Sequence, residues 1–238
     1  FIRETRARGV SKSSVNIHLN SVRKYYDYLI ESGKKNDNPA KELRLKNNGK
    51  KVLQNLLRTE QLEETYNSYI NRPAWTFKGE NSKRSHARNI VILGLLIFQG
   101  IHTGELKNIE KAHINLIKGS IYIPSESRSN SRILKLNVQQ ILPLQNYLNG
   151  IEKSQEKLFE CNMRTVGAWL ISTLKKSDKK VKDAQQIRSS VIVNWLKQYN
   201  IRQVQYMAGH RHIGSTERYK QEDLEDLQKQ LELFHPMK

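Results

Sequence analysis

The sequence is poor in features that would place it among secreted or membrane proteins. Its 238 residues include a single cysteine, Cys161, so no disulfide can form within the chain, and this fits a reducing cytosol. The longest apolar run, residues 90–98, is far shorter than the roughly 20 residues that span a bilayer. The N-terminal residues are charged and lack the apolar region of a signal peptide. We therefore expect a cytoplasmic protein.

Motifs for metal ions and nucleotides are also missing. The sequence contains no cluster of cysteine and histidine residues at zinc-binding spacing and no glycine-rich loop that could surround a phosphate. We therefore expect neither a metal ion nor a cofactor. Aromatic ribonucleoprotein motifs and the GXXG loop of KH domains are absent as well, which argues against a dedicated RNA-binding domain.

Acidic residues are scarce relative to basic ones. The chain has 23 Asp and Glu against 41 Lys and Arg, which gives a formal net charge of +18. A field of this size favours a polyanion, because each neutralised phosphate releases condensed counterions. Nucleic acid is the first candidate partner. An anionic membrane surface is the second, although no basic amphipathic helix with an aromatic face supports it, and a lysine-rich composition without functional meaning is the third interpretation.

Helical periodicity dominates the sequence, and a polar segment interrupts it. Residues 11–32 predict an amphipathic helix, because apolar residues recur at steps of three and four, and a short helix is predicted over 40–45. The chain then becomes polar and basic at KNNGKK. We expect a small helical domain over 1–46, a linker over 47–56 and a larger domain over 57–238.

The larger domain is predicted to be mostly helical with one small sheet. Residues 114–124 and 131–137 alternate between apolar and polar side chains, which predicts three short antiparallel strands with a hairpin turn at Lys118-Gly119. Helical spacing covers the segments 59–69, 82–98, 104–109, 138–149, 162–175, 186–198, 201–208 and 217–233. The fold class is therefore mainly α (α+β), with a three-stranded antiparallel sheet in the second domain.

Three stretches of the sequence together resemble the tyrosine recombinases, the family of phage and transposon integrases and of Xer-type recombinases. Residues 6–40 are similar to the core-binding domain of that family, with its first helix cut short. Residues 98–109, FQGIHTGELKNI, resemble the segment in which an arginine precedes Ser/Gly-Glu-Leu. Residues 185–219 resemble the segment that holds the second arginine, a Gly-His pair and the tyrosine. The resemblance covers nearly the whole chain.

The resemblance implies roles for three residues of the third stretch. Tyr219 matches the nucleophile, His210 matches the histidine that contacts the phosphate, and Arg188 matches the second arginine. In such a site the tyrosine attacks a DNA phosphodiester and forms a 3′-phosphotyrosine, so that neither ATP nor a metal is needed. Arginines stabilise the charge on the phosphate oxygens through paired hydrogen bonds. Each residue can also be interpreted without a catalytic role. Tyr219 would then be a half-buried tyrosine, His210 a histidine bonded to backbone and Arg188 a surface arginine.

At three positions the sequence departs from the family pattern. His102 stands where the family has its first arginine, and an imidazole cannot form a forked contact. Gln185 stands where the family has a further histidine, and an amide cannot carry a proton. The hairpin-loop lysine that the family uses as a general acid falls near Ser127 and Arg128, and this loop contains no lysine.

The departures leave two hypotheses. In the first, Arg128 or Arg132 swings in from the loop and supplies the missing charge, although an arginine is a poor general acid, and the protein is a recombinase. In the second, cleavage is weak or lost, and the fold acts as a regulatory or structural DNA-binding protein. Glu105 is expected to hold a basic side chain or to cap a helix.

Further segments complete the prediction. The tail 222–234 carries leucines and a phenylalanine at steps of three and four, and it either packs on its own core or docks into a neighbouring protomer of a homo-oligomer. The lysine run 175–182 either is solvated or contacts phosphate. Trp169 and Trp195 are predicted to be core residues. The expected partner is double-stranded DNA, and the resemblance implies a location at the bacterial nucleoid.

Overall fold

The chain divides into two compact units, Phe1–Val52 and Leu53–Lys238. The computed structural model describes residues 2–46, 55–72, 79–127, 129–152, 154–178 and 180–220. The division falls inside the segment 47–56 that the sequence predicts as a linker. The function of each unit stays a prediction.

The first unit contains helices α1 (Ile2–Ala7) and α2 (Lys12–Glu31). The side chain of Ser11 caps α2 by accepting a hydrogen bond from the amide of Ser14, as expected for a residue that satisfies a free helical N–H. The predicted apolar face of α2 buries Val15 and Leu19.

The short helix predicted over 40–45 is wrong, because these residues form a turn and an extended segment. Side chains of α2 bind their backbone groups instead. Arg23 donates to the carbonyls of Ala40 and Leu43, and Asn16 exchanges hydrogen bonds with the backbone of Leu45. These bonds replace those that a helix would have made.

The second unit is mostly helical. Its helices are α3 (Thr59–Ile70), α4 (Glu80–Phe98), α5 (Val138–Gly150), α6 (Met163–Ser177), α7 (Ala184–Leu196), α8 (Ile201–Ala208) and α9 (Ile213–Glu217). Short 3₁₀ helices cover Glu105–Asn108, Lys111–His113 and Arg218–Lys220. Helix α4 lies in the core against α3, α5 and α7, and an unbroken run of its residues, 91–97, is buried. None of the helices in the described ranges has both the length and the apolarity needed to cross a bilayer.

Three short antiparallel strands form the predicted sheet. They are β1 (Ile114–Asn115), β2 (Ser120–Ile123) and β3 (Arg132–Lys135), in the order β1-β2-β3. In the register of β2 and β3, Ile121 pairs with Leu134 and Ile123 pairs with Arg132. These four side chains are buried while their neighbours in the strands are more exposed, so the alternation of a strand places a guanidinium inside the domain. The mainly α fold class with one small sheet is confirmed.

The core prediction for Trp169 is wrong, since 53% of this residue is exposed. Helix α6 buries a stripe that includes Gly167, Leu170, Ile171 and Leu174, and Trp169 lies outside that stripe. Trp195 is half-buried and packs against the core.

Candidate active site

Arg188 joins the two C-terminal stretches that resemble the recombinases. Helix α7 begins at the N-cap Asp183, and its second turn buries the Arg188 side chain. Nη1 of Arg188 donates to the carbonyl of Gly100, and Nη2 donates to the carbonyl of Ala208 at 2.7 Å. The same Nη1 lies 3.8 Å from a carboxylate oxygen of Glu105. The guanidinium is therefore held by groups from both stretches.

Glu105 and Arg132 form a buried ion pair beside Arg188. The pair is forked, with distances of 2.6 and 3.1 Å between the Arg132 nitrogens and the two carboxylate oxygens. Burial alone would raise the pKa of Glu105, but the hydrogen bonds and charge of Arg132, together with the amide of His102, lower it to about 2. The expectation that Glu105 holds a basic side chain is confirmed.

Arg132 does not swing in from the loop, so that part of the rescue hypothesis is wrong. The residue belongs to strand β3, and its side chain is fully enclosed. Its Nε also donates to the carbonyl of Met207 at 2.8 Å. Because Glu105 and backbone oxygens surround the guanidinium, Arg132 contributes charge from inside the protein. Arg128 lies outside the described residues.

Gly209 packs directly against the guanidinium of Arg132. It ends α8 in the left-handed region, at a φ of +70°. A Cβ at this position would overlap the Arg132 guanidinium. Both the backbone angle and the contact therefore require glycine.

His210 follows this glycine and is held on two sides. Its Nδ1 is 2.9 Å from the hydroxyl of Thr216, and its backbone bridges to Ser129 in the β2–β3 loop. Burial lowers the pKa of His210 to about 4, and the charges of Arg188 and Arg132 act in the same direction. The imidazole is therefore neutral near pH 7.

Tyr219 lies next to His210. The two rings are stacked, with their centroids 5.9 Å apart and an angle of 14° between their planes. Tyr219 is half-buried and packs against the cluster of Ile192, Val204 and Ala208. Burial lowers the pKa of Arg188, and the charges of Glu105 and of an ionised Tyr219 oppose that effect. The phenol therefore lies within electrostatic range of the guanidinium.

Two of the three departed positions, His102 and Gln185, lie at the edge of this group and are exposed. The amide of His102 donates to Glu105 at 2.8 Å, and its Nδ1 accepts a hydrogen bond from the amide of Gly104 at 3.0 Å. Gln185 lies one turn before Arg188 and donates to Ser189 of its own helix at 3.4 Å. His102 therefore has only one ring nitrogen left for another partner.

The sequence reasoning missed a contact between Lys107 and Glu126. Lys107 Nζ lies 2.8 Å from a carboxylate oxygen of Glu126 in the β2–β3 loop. The only signal in the sequence was the place of Lys107 inside FQGIHTGELKNI, two residues after Glu105. Lysines of the run 175–182 also face this region, because Lys175 and Lys182 line a cavity of about 840 Å³ together with His102 and Lys107.

Groups of three or more His, Cys, Asp or Glu side chains that could hold a metal ion do not occur within the described residues. The site offers two buried guanidinium groups, an exposed ammonium group, the half-buried imidazole of His210, the exposed imidazole of His102 and the phenol of Tyr219. Such a set of groups can bind a phosphate and present a nucleophile to it.

The chain is similar in sequence to several known proteins. No family model matches the chain. In sequence it is similar to the TnP I resolvase of Bacillus thuringiensis, with 26% identity over 240 residues that cover 94% of this chain and 78% of the relative. It is also similar to the tyrosine recombinase XerC of Serratia marcescens, with 20% identity that covers 96% of this chain and 75% of the relative.

Solved structures show the same fold. The XerA recombinase matches 98% of this chain and 80% of its own length, with a TM-score of 0.58 and 17% identity. The Tn1549 transposon integrase in complex with a circular intermediate DNA matches 91% of this chain and 77% of its own, with a TM-score of 0.63 and 16% identity. In sequence and in fold the chain is thus similar to tyrosine recombinases. The resemblance predicted from the three stretches is confirmed.

Proposed function

We propose that the protein is a site-specific DNA recombinase that cuts and rejoins double-stranded DNA through a covalent bond between Tyr219 and a 3′-phosphate. Its sequence relatives are named recombinases or a resolvase, and one neighbour in fold was solved with a circular intermediate DNA. The net charge of +18 suits a duplex partner. The covalent link keeps the energy of the phosphodiester, so neither ATP nor a metal ion is required.

The observation that carries the proposal is the stacking of Tyr219 on His210 beside the buried Arg188. The three residues come from α7, from the turn after α8 and from the last described 3₁₀ helix. A phosphate near Arg188 would meet N–H groups that Gly100 and Ala208 do not use, since each carbonyl takes one hydrogen of a different nitrogen.

His210 suits a role that needs a neutral ring. With Nδ1 at the Thr216 hydroxyl, Nε2 is left to donate to a phosphate oxygen or to accept the proton of the phenol, according to the tautomer. The enclosed pair of Glu105 and Arg132 keeps this turn in place, because Arg132 also binds the carbonyl of Met207.

His102 favours a second candidate function, that of a DNA-binding protein without effective cleavage. Its Nδ1 is already occupied by the amide of Gly104, so it can give a phosphate one hydrogen bond and not a fork. Losing one donor to a transition state costs roughly 100- to 1000-fold in rate. Under this candidate the protein binds duplex DNA as tightly as a recombinase and forms no covalent product.

A nicked suicide substrate separates the two functions. The nick releases a short strand after cleavage, so that a covalent complex accumulates and is seen on a denaturing gel. We expect this complex with the natural chain and its loss in Tyr219→Phe, with duplex binding kept. Tyr199→Phe is the matched control, because Tyr199 is an exposed tyrosine beyond the end of α7. Tight binding without any covalent complex would establish the second candidate.

Assembly and location are proposals of the same kind. The tail 222–234 lies outside the described residues, and we propose that it docks into a second protomer on DNA. Deletion of residues 222–238 should then abolish a DNA-dependent oligomer, as seen by size-exclusion chromatography with light scattering.

We further propose that the small unit, over 1–46, binds the duplex as a core-binding domain. The bacterial nucleoid is the proposed location of the protein.

A further inference from the structure

Lys107 brings an ammonium group to the loop in which the family pattern calls for a lysine. It belongs to the 3₁₀ helix Glu105–Asn108, and its Nζ lies 2.8 Å from Glu126 Oε1. The Lys107 side chain is 58% exposed, whereas that of Glu126 is 22% exposed. The carboxylate is therefore a fixed anchor, and the ammonium is free enough to reach a ligand.

The loop that carries Glu126 is tied to the candidate site. The backbones of Glu126 and Ser129 close a turn with two hydrogen bonds of 3.0 and 3.1 Å. Ser129 bridges to His210, and Arg211 donates to the carbonyl of Glu126 at 3.2 Å. Any group that Glu126 binds is therefore held near the turn that contains His210.

Lys107 also faces open space at the edge of the site, where His102 lies. It lines the cavity of about 840 Å³ that His102 and Gly104 line. The amide of His102 binds Glu105, which lies 3.8 Å from Arg188. A short series of contacts thus leads from the buried guanidinium to the cavity into which Lys107 can extend.

Other lysines fit this position less well. Lys135 is exposed on β3, where the alternation of the strand directs it away from the face that buries Arg132. Lys175 and Lys182 line the same cavity, but Lys175 belongs to α6 and Lys182 to the segment just before α7. Lys107, by contrast, has a side chain that contacts the β2–β3 loop.

We infer, on the basis of the proposed function, that Lys107 is the general acid of the cleavage step and that Glu126 positions it. The bond between Tyr219 Oη and phosphorus forms while the bond between phosphorus and O5′ breaks, and the electrons of the broken bond go to O5′. The Lys107 ammonium gives its proton to O5′, which leaves as a 5′-hydroxyl. The phenol proton leaves through the neutral His210 imidazole to water, and the amine of Lys107 regains a proton from water. A lysine ammonium suits this transfer because an alkoxide is a far stronger base than an amine.

Two DNA substrates test this role in single-turnover cleavage. One carries an ordinary phosphodiester, and the other has sulfur in place of the bridging O5′, so that the leaving group is a thiolate that needs no proton. We expect Lys107→Ala to slow cleavage of the ordinary substrate by about 100-fold or more and to cleave the sulfur substrate at nearly the natural rate. Glu126→Gln keeps the shape of the side chain but removes its charge, and it should show a smaller loss that the sulfur substrate also rescues.

Lys182→Ala is the matched control, because Lys182 lines the same cavity without contacting the loop. Any loss in this variant should be equal on both substrates. If Lys107→Ala is slowed equally on both substrates, or on neither, the inference is wrong while the proposed function stands, since the natural chain still forms its adduct. If the natural chain forms no adduct with either substrate, both the proposed function and this inference fail. Duplex binding of each variant, measured by fluorescence anisotropy, shows that the comparison concerns the chemical step.

Discussion

The candidate site has two halves that differ in burial. The inner half is enclosed and consists of Glu105, Arg132 and Arg188. The outer half borders solvent and consists of His102, Lys107, Glu126 and Gln185. In the inner half Arg188 matches the family pattern, whereas His102 and Gln185 of the outer half depart from it. Charges taken out of water need partners with fixed geometry, and an exposed position can exchange one donor for another at a smaller cost in stability.

Removing one member of the ion pair in the inner half should destabilise the protein. Arg132→Met leaves the buried Glu105 carboxylate without its forked partner. We expect the free energy of unfolding to fall by about 3–5 kcal/mol, because an uncompensated buried charge remains. Urea unfolding followed by circular dichroism measures the change.

A double variant serves as the control for this pair. Glu105→Gln combined with Arg132→Met removes both charges, so it should be more stable than Arg132→Met alone. If Arg132→Met costs less than about 1 kcal/mol, the pair behaves like an exposed ion pair, and the description of an enclosed inner half is wrong.

Gly209→Ala tests how closely the backbone packs on Arg132. The new methyl group would overlap the guanidinium, and the φ of +70° disfavours any side chain. Gly119→Ala is the matched control, because Gly119 has a φ of +56° and nothing within 4 Å of an added Cβ. Both variants should lose the roughly 1–2 kcal/mol of a left-handed alanine, and Gly209→Ala should lose more in urea unfolding. Equal losses would show that Arg132 does not restrict this turn.

The pH dependence of stability separates Glu105 from His210. The pKa of His210 is lowered from 6.5 to about 4, so its contribution is complete above pH 6.5 and is lost as the pH falls toward 4. The pKa of Glu105 is lowered from 4.5 to about 2, so its contribution is complete above pH 4.5 and is lost between pH 4.5 and 2.

Unfolding measured across both windows tests this assignment. His210→Gln should reduce the change in the free energy of unfolding between pH 6.5 and 4. The change between pH 4.5 and 2 should stay as it is in the natural chain. An unchanged slope between pH 6.5 and 4 in this variant would mean that His210 is not buried as a neutral ring.

In the outer half, a substitution at His102 should raise the rate of adduct formation. His102→Arg restores a forked donor at the position of the family's first arginine, and we expect a rise of about tenfold in the rate of adduct formation, equivalent to about 1.4 kcal/mol. His102→Lys adds a charge without a fork and should gain less. The measurement is single-turnover cleavage of the suicide substrate. A slower His102→Arg variant would indicate that the hydrogen bond from Gly104 to the imidazole matters more than the added charge.

Alternation in the sequence predicted the sheet, and the resemblance to the tyrosine recombinases indicated the stretches that hold Arg188, His210 and Tyr219. The same alternation could have placed Arg132 inside, since it lies two residues before Leu134 on a strand with one buried face. The contact of Lys107 with Glu126 was not predictable in this way, because the two residues are joined only by the fold of the loop against the 3₁₀ helix. Trp169 was assigned to the core from its apolar neighbours, and a count of the helical stripe of α6 would have excluded it.

The proposed reaction bonds the Tyr219 hydroxyl to a DNA phosphate, and this bond can be detected directly. Suicide DNA is incubated with the natural chain, the product is digested with nuclease and protease, and the peptides are examined by mass spectrometry. We expect one peptide, containing residue 219, that carries a nucleotide through its tyrosine. An adduct on another residue, or none at all on a chain that binds the duplex tightly, would contradict the proposed reaction.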